Sequence, residues 1–454
     1  MLQKIMFPRN LKTNTLILAL IIWLGLHWVI LPTMPVISKT SYFFAMFAIT
    51  SMAMTFVLAA RWRWIEPFTG GLDKSYRVHR WFGYLALIGV VAHSMIDTGN
   101  SGVSVNPLLA NLGEEVGEFS MNMMLVLIAL SAFGLLPYRW WRISHYAMGP
   151  VFFFAIFHSF FSKSPIQSGT LAWDIMAIAS GLGTIAWVSK IGSDLLGKSN
   201  FIVNEITTDG DITEITLTPK GRMKFHHRAG QFAFLNFPNS SHKEAHPYTI
   251  ASASNGKDVH FAIKKLGDYS SKLERFVKVG MPARIEGPYG RFTFNPRKPR
   301  QIWVAGGIGI TPFIAFLEEI STDHLCNIDL IYCISKSTDI LAKSKLDALS
   351  KEKNINLHYL ISDEGKRLNS DWFKDTIKDT SKASFWYCGP DGLRNALEVT
   401  MANNGIKPSR LHYELFDMRG AVDLKARGIT RFLITAVTNI FQLGKRILYA
   451  RKNK

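Results

Sequence analysis

Cysteine is nearly missing from this chain: Cys326, Cys333 and Cys388 are the three in 454 residues, and all lie in the second half. So few thiols remove any disulfide framework, and the intervals between them match no metal-ligand spacing. Acidic residues are also scarce, 34 against 52 lysines and arginines, for a formal net charge of +18. Charge of either sign is thin in the first part. From Thr15 to about Val188 apolar runs approach the ~20 residues needed to cross a bilayer. Beyond Gly197 short β-rich runs alternate with polar turns. A chain of this length holds two or three domains, here a membrane half followed by a soluble half, with no nucleic-acid partner expected.

Six membrane helices are expected: Thr15 to Leu31, Tyr42 to Ala60, His79 to Met95, Asn122 to Leu136, His145 to Phe161 and Leu171 to Val188. No small-x-small cleavage site precedes Pro32 and Pro35, so the first is read as a retained helix rather than a signal peptide. Lys4, Arg9 and Lys12 precede the first span, Arg61, Arg63, Lys74, Arg77 and Arg80 lie between the second and third, and Arg139 and Arg142 lie between the fourth and fifth. These mark the cytoplasmic side by the positive-inside rule. The stretch from Asp97 to Glu118 has no Lys or Arg but carries Asp97, Glu114, Glu115 and Glu118, so it is expected as an outer loop. Both chain ends are then cytoplasmic, in a bacterial-type cytoplasmic membrane.

Within these spans His79 and His93 lie fourteen residues apart, and His145 and His158 thirteen. At ~1.5 Å per residue either interval spans about 20 Å, and close to four turns return both rings to one face. Two such helices offer one histidine pair near each membrane surface, His79 with His145 and His93 with His158, which suits two b-type haems held at both axial positions. A lone histidine in an apolar helix is ordinarily a satisfied polar residue, and His27 is read so; ionisable residues in matched pairs inside a membrane are a functional signal. Phe152, Phe153 and Phe154 lie between the pairs, as an aromatic relay or as lipid contact and packing. Arg77, Arg80 and Arg142 are haem-propionate partners or topology anchors.

The soluble half opens with a β-barrel pattern, Phe201 to Val203, Ile212 to Leu217 and Ala229 to Phe234, then His246-Pro247-Tyr248-Thr249-Ile250-Ala251-Ser252. Phe261 to Ser270 follows: a strand bearing Lys264, then Gly267 and Ser270 opening a helix, can present a cation and free N–H groups to a diphosphate. Gln301 to Ala305 reads as a buried strand, and Gly306-Gly307-Ile308-Gly309-Ile310-Thr311-Pro312 turns it into a helix with proline in its first turn. Such glycines let the backbone approach a pyrophosphate, whose charge the helix N-terminus favours.

These motifs, with Glu286-Gly287-Pro288-Tyr289-Gly290, Tyr387-Cys388-Gly389-Pro390 and His412 to Arg419, resemble the ferredoxin-reductase family of flavoproteins. The likeness is to its branch fused to a haem-bearing membrane domain, the NADPH oxidase and ferric reductase superfamily, and runs from the four histidines to about Arg419. The resemblance implies FAD, with Tyr248 against the flavin, Thr249 near its reactive nitrogen, and His246 and Pro247 opening the motif where soluble reductases usually have arginine. It implies Cys388 beside the nicotinamide, a hydride-transfer position rather than a nucleophile, and Phe416 as an aromatic gate. After the strand Leu330 to Ile334, Ser335 and Lys336 stand where relatives often have arginine, which favours NADPH over NADH.

The expected organisation is a six-helix transmembrane haem-binding bundle over residues 1–196 followed by a ferredoxin-reductase-like module. That module is an FAD-binding β-barrel at 197–298 and an NAD(P)H-binding α/β domain at 299–419. Residues 420–454 form a basic amphipathic tail: Ile429, Leu433, Ala436, Ile440, Leu443 and Ile447 recur at helical spacing among six basic residues, to lie on membrane lipid or to pack on an oligomer or accessory subunit. The expected activity takes a hydride from cytosolic NAD(P)H onto FAD and passes single electrons through two haems to an outer acceptor. The motif set is closest to bacterial oxidase homologues and points to dioxygen; Asp97, where oxidases often carry a basic residue, points to a ferric chelate.

Overall fold

A computed structural model describes residues 22–96, 107–132, 136, 138–196, 198–221, 225–240, 243–254, 258–267 and 269–414. The chain divides into two compact units. Among the described residues, 22–62 with 75–191 form the first, and 63–74 with 192–414 form the second.

The first unit is helical. After a helical stretch at 22–29 come α1 (Val36–Ala59), then, past a short α2 (Glu66–Thr69), α3 (Leu72–Met95), α4 (Pro107–Ala132), α5 (Tyr138–Tyr146), α6 (Met148–Phe161) and α7 (Leu171–Leu196). Among the described residues, α1 and Leu171–Asp194 are long and apolar enough to cross a membrane. Their packing rests on small residues, which let helices approach where hydrophobic contrast with lipid is absent. A Cβ on Gly89 would lie 3.0 Å from the Cβ of Ala48, and one on Gly183 would lie 2.7 Å from the Phe152 ring and 3.0 Å from Ala53 Cα. Met46, Ile49, Met52, Met124, Leu127 and Phe152 fill the core between.

The second expected span starts earlier, at Val36, and the sixth runs on to Leu196; three further changes bear on the site. The third helix begins at Leu72 rather than His79. The fourth begins at Pro107 rather than Asn122, so Glu114, Glu115 and Glu118 sit on a helix and not in a loop. They occupy its exposed side while Gly113, Leu127 and Ser120 are buried, a helical periodicity that the acidic composition hid. The fifth is broken at Ala147, which leaves His145 on α5 and His158 on α6. Asp97 lies outside the described residues.

The second unit holds two sheets. One is six-stranded and antiparallel, in the order β4-β3-β6-β1-β2-β5, from β1 (Ser199–Asp209), β2 (Ile212–Pro219), β3 (Phe232–Asn236), β4 (His246–Thr249), β5 (Val259–Lys264) and β6 (Pro282–Tyr289). Phe201, Val203, Ile215, Leu217, Phe261 and Ile285 fill its interior at 2 % exposure or less, and the alternation Phe201-in, Ile202-out, Val203-in is that of a half-buried strand. A short α8 (Leu273–Phe276) closes it.

The other sheet is five-stranded and wholly parallel, in the order β11-β10-β7-β8-β9, from β7 (Arg300–Gly306), β8 (Asn327–Ile334), β9 (Asn356–Ile361), β10 (Ser384–Cys388) and β11 (Leu411–Tyr413). α9 (Thr311–Glu319), α10 (Lys343–Glu352), α11 (Ser370–Thr376) and α12 (Asp391–Asn403) provide crossovers. Every residue of β7 and β10 is buried, as parallel strands covered on both faces must be. The order reverses between β7 and β10, and such a switch point is where open α/β sheets bind ligands, beyond the carboxyl ends of the strands.

Candidate functional site

In the first unit the rings of His79 and His145 stand 6.0 Å apart between centroids, and those of His93 and His158 stand 6.2 Å apart. Each Nδ1 has a partner: Thr55 O at 2.8 Å for His79, Ser41 O at 3.1 Å for His93, Gly113 O at 3.0 Å for His158 and Ser131 Oγ at 3.2 Å for His145. A carbonyl can only accept, so the first three must carry their proton on Nδ1, which leaves Nε2 with a free lone pair in the neutral ring. Among the described residues no hydrogen bond occupies Nε2 of any of the four. His27 is the contrast. Its Nδ1 bonds Trp23 O at 2.8 Å and its Nε2 bonds Thr50 Oγ1 at 3.0 Å, so both nitrogens are spent.

Gly117 on α4 lies directly on the His158 ring, where a Cβ would fall 2.6 Å from Cγ. Phe152 is fully buried against Phe56, whereas Phe153 and Phe154 are more than a third exposed and contact Trp187 and Phe119. The three do not line up as one inward row. Arg142 lies over Tyr146 at 6.0 Å.

In the second unit His246, Pro247 and Tyr248 are half-buried on β4, an edge strand, and Thr249 is buried opposite Phe232. His246 stacks on Tyr269 at 3.9 Å, and burial pushes the Tyr248 and Tyr269 phenols up from their ordinary range. Lys264 ends β5. Ser270 opens a three-residue 3-10 turn, and its hydroxyl accepts from Leu266 N at 2.9 Å and Gly267 N at 3.2 Å. The Gly267 N–H is therefore committed within its own turn, not free as expected.

At the switch point of the parallel sheet, Gly306 ends β7 and Gly307 takes a left-handed φ of +55° with open space around it. A Cβ on Gly306 would lie 2.7 Å from Pro390, one on Gly389 would lie 3.0 Å from Gly306 Cα, and one on Gly309 would strike the Cys388 carbonyl. The two glycine turns thus close on each other while Gly307 faces open space. Thr311 and Pro312 begin α9, with Thr311 Oγ1 donating to Ile308 O at 3.1 Å. Burial, and secondarily Glu414, hold the Cys388 thiol well above its usual range, so it is no thiolate nucleophile. Lys336 is exposed just past β8. Phe416 and residues 420–454 lie outside the described residues.

Two carboxylates here have no assigned role in the sequence motifs. Gly290 N–H donates to Glu66 Oε2 at 3.2 Å, and Arg291 and Phe292 N–H donate to Glu414 Oε1 at 2.6 and 3.1 Å. Three consecutive amides so directed form an anion-binding nest. Burial, then the neighbouring Asp73, push the Glu414 carboxyl up to about 8 against the pull of the two amides and Lys74. Burial likewise raises Glu66. A charged residue directly after β11, within the closing motif, was the available signal for Glu414; Glu66 offered none.

A glycine turn at the switch point of a parallel sheet, preceded by an antiparallel barrel sheet, defines a nucleotide-dependent flavin reductase module, carried on a helical unit with paired histidines. Residues 44–156 match the ferric reductase like transmembrane component, 199–293 an FAD-binding domain and 303–398 the oxidoreductase NAD-binding domain. That set fits the NADPH oxidase and ferric reductase superfamily. The chain is similar to the toluate 1,2-dioxygenase electron transfer component of Pseudomonas putida, 28% identical over 41% of this chain and 58% of that protein. It is also similar to ferric reduction oxidase 2 of Arabidopsis thaliana, 29% identical over 38% of this chain and 28% of that one. A solved FAD/NAD-binding domain of the nitric oxide dioxygenase from Vibrio cholerae aligns over 48% of this chain and 97% of its own, at 21% identity and a TM-score of 0.44. The chain spans about three-fifths or less of the length of these two curated relatives.

Proposed function

We propose that this NAD(P)H-dependent flavin oxidoreductase is a six-helix membrane flavocytochrome that carries electrons from cytosolic NAD(P)H across a bacterial-type cytoplasmic membrane to an outer acceptor. The observation that carries it is the pairing of four histidines with Nδ1 engaged and Nε2 open. An imidazole–metal bond runs roughly 2.0–2.1 Å, and with a ring radius of ~1.1 Å on each side two rings spanning one metal stand about 6.3 Å apart, which matches the two pairs. Hydrogen bonding of the far nitrogen, as at all four rings, is what fixes a histidine ligand's tautomer and aim. His79 with His145 and His93 with His158 would each hold one haem.

FAD would lie along β4, with Tyr248 against the ring, Thr249 near its reactive nitrogen, and His246, Pro247 and Lys264 toward the diphosphate, while Gly267 and Ser270 shape the adjoining turn rather than donate the Gly267 N–H. The nicotinamide nucleotide would take Gly306, Gly307, Gly309, Thr311 and Pro312 at its pyrophosphate, Cys388, Gly389 and Pro390 at its ring, and Lys336 at a 2′-phosphate, with Phe416 as gate. When bound, FAD supplies conversion of a two-electron hydride into single electrons, which is all a haem accepts. The chain's residues bind and orient: Cys388 stays a neutral, buried wall, and the nest at 290–292 holds the turn behind β3. The tail at 420–454 would rest on anionic lipid.

Dioxygen is the acceptor this reading favours. A ferric chelate is the second reading, supported by the exposed Glu114, Glu115 and Glu118 on the helix that packs on His158. Purified protein should contain two low-spin haems per FAD, and His93→Ala or His158→Ala should remove one while sparing flavin reduction. Retention of both haems in both variants removes the ligand assignment. An acceptor panel with NADPH, measuring superoxide-dismutase-sensitive dye reduction against ferric chelate reduction, decides between the two.

A further inference from the structure

The last two residues of α9 are both glutamates, and neither belongs to the nucleotide turn at the other end of the helix. Glu319 Oε2 accepts from Ala229 N at 3.2 Å and from Ser254 N at 3.1 Å, and Glu318 Oε2 accepts from Ala253 N at 2.9 Å. Those amides come from the antiparallel barrel sheet's side of the unit. Ala229 precedes β3 and Ala253–Ser254 follow β4, and because Phe232 pairs with Thr249 both lie at one end of the β3–β4 hairpin. One carboxylate oxygen therefore bridges the two strands' continuations at the end that carries Thr249.

The surroundings make this joint stiff. Lys345 on α10 pairs with the other oxygen of Glu318 at 2.5 Å, bracing it from within the parallel-sheet domain. Gly230, at φ +88°, lets the chain pass where a Cβ would strike the Phe292 carbonyl and lie 2.5 Å from the Phe316 ring, and Phe316 stacks on Phe292 at 5.6 Å. His227 Nε2 holds Ser252 O at 3.0 Å, fixing the loop from its other side. α9 itself is a bar of nine residues, roughly 13 Å at 1.5 Å per residue.

We infer that Glu318 and Glu319 are positioning residues for hydride transfer: they lock the flavin-bearing hairpin to the far end of the helix whose first turn receives the nucleotide. The inference rests on the proposed flavin and nicotinamide sites. Its consequence is that α9 sets the separation of the two rings as a strut, and that loss of the carboxylates frees the hairpin without touching either ligand's contacts. A misplacement near 1 Å at a reacting centre costs up to about a hundredfold in rate.

The test uses the full-length holoenzyme in detergent and follows anaerobic flavin reduction by stopped flow over a range of NADPH concentrations. Wild-type protein that binds no FAD, or whose flavin NADPH does not reduce, refutes the proposed function and is seen before any variant is compared. With that established, Glu318→Ala/Glu319→Ala should lower the limiting rate at least about tenfold, with FAD content and the apparent Kd for NADPH within about twofold of wild type. Glu318→Gln/Glu319→Gln, which keeps an oxygen facing each amide, should recover most of the rate. Glu319→Asp retains charge but shortens the reach, and should slow reduction severalfold; it serves even if the double alanine variant does not fold. A wild-type limiting rate in Glu319→Asp, or a glutamine pair as slow as the alanine pair, overturns the inference.

Discussion

Gly117→Ala tests the His93–His158 pair as proposed haem ligands while leaving both histidines in place. The added Cβ would stand 2.6 Å from His158 Cγ and 2.7 Å from Cε1, where ordinary contact begins at 3.4 Å. The ring must move by on the order of 1 Å or α4 must withdraw, and α4 is tied in place by the Gly113 carbonyl on His158 Nδ1 at 3.0 Å. Overpacking of this kind costs about 1–3 kcal/mol. A displacement of that size also exceeds what a metal bond of roughly 2.0–2.1 Å tolerates. The expected outcome is protein with full FAD, one low-spin haem on His79 and His145, and the second lost or converted to a five-coordinate spectrum. Haem-to-flavin stoichiometry and the low-temperature optical and paramagnetic spectra give the answer. Two unaltered low-spin haems in Gly117→Ala refute the argument that this glycine makes room for a liganding ring.

Glu414→Gln addresses the nest. Because the folded protein holds the Glu414 proton up to about 8 while an unfolded glutamate releases it near 4.3, the unfolded state binds fewer protons between these values and stability falls as pH rises through the window. Melting temperatures of Glu414→Gln relative to wild type should therefore climb from pH 5 to pH 8; a constant difference counts against the assignment. Lys336→Ala should weaken NADPH use by about 1–3 kcal/mol, as for a charged hydrogen bond, and leave NADH use unchanged, so equal kcat/KM losses with both would dismiss Lys336. Burial raises all three thiols, Cys333 to about 12, and a maleimide at pH 8 should label none in native protein and three after denaturation; rapid native labelling of Cys388 would contradict its buried, neutral state.

The histidines could be read from sequence because helical spacing and an apolar setting act locally, and the motifs of the reductase half because strand, turn and helix follow one another within a few residues. What escaped depends on contacts between distant positions. Glu114, Glu115 and Glu118 looked like a loop because composition masks the buried stripe that includes Gly113 and Ser120, which reveals itself only once α6 lies against it. The break at Ala147 had a signal in Gly149-Pro150, because a proline at 150 has no N–H for the Tyr146 carbonyl, but the apolar run across it reads as one span. Arg63–Lys74 lies between membrane spans in the chain, yet it belongs with the reductase unit through Glu66 on Gly290 and Arg63 on the Gly287 carbonyl, pairings more than two hundred residues apart. Ser270 heads a turn, as its sequence suggests, but its hydroxyl accepts from the Leu266 and Gly267 N–H groups, so the Gly267 N–H is not available to a diphosphate.

The four imidazoles differ in what aims them. His79, His93 and His158 are each steered by a main-chain carbonyl, from Thr55, Ser41 and Gly113, and no codon change at those positions can delete a peptide oxygen. His93 Nδ1 has a second partner in the Ser41 hydroxyl at 2.9 Å, and among the described residues His145 is the ring whose Nδ1 meets a side chain, the Ser131 hydroxyl, with no main-chain carbonyl beside it. Under the proposed ligation, three rings keep a main-chain partner whatever side chains drift around them while the fourth does not, so variation in electron affinity should concentrate at the His79–His145 pair and be reachable by a single exchange at position 131.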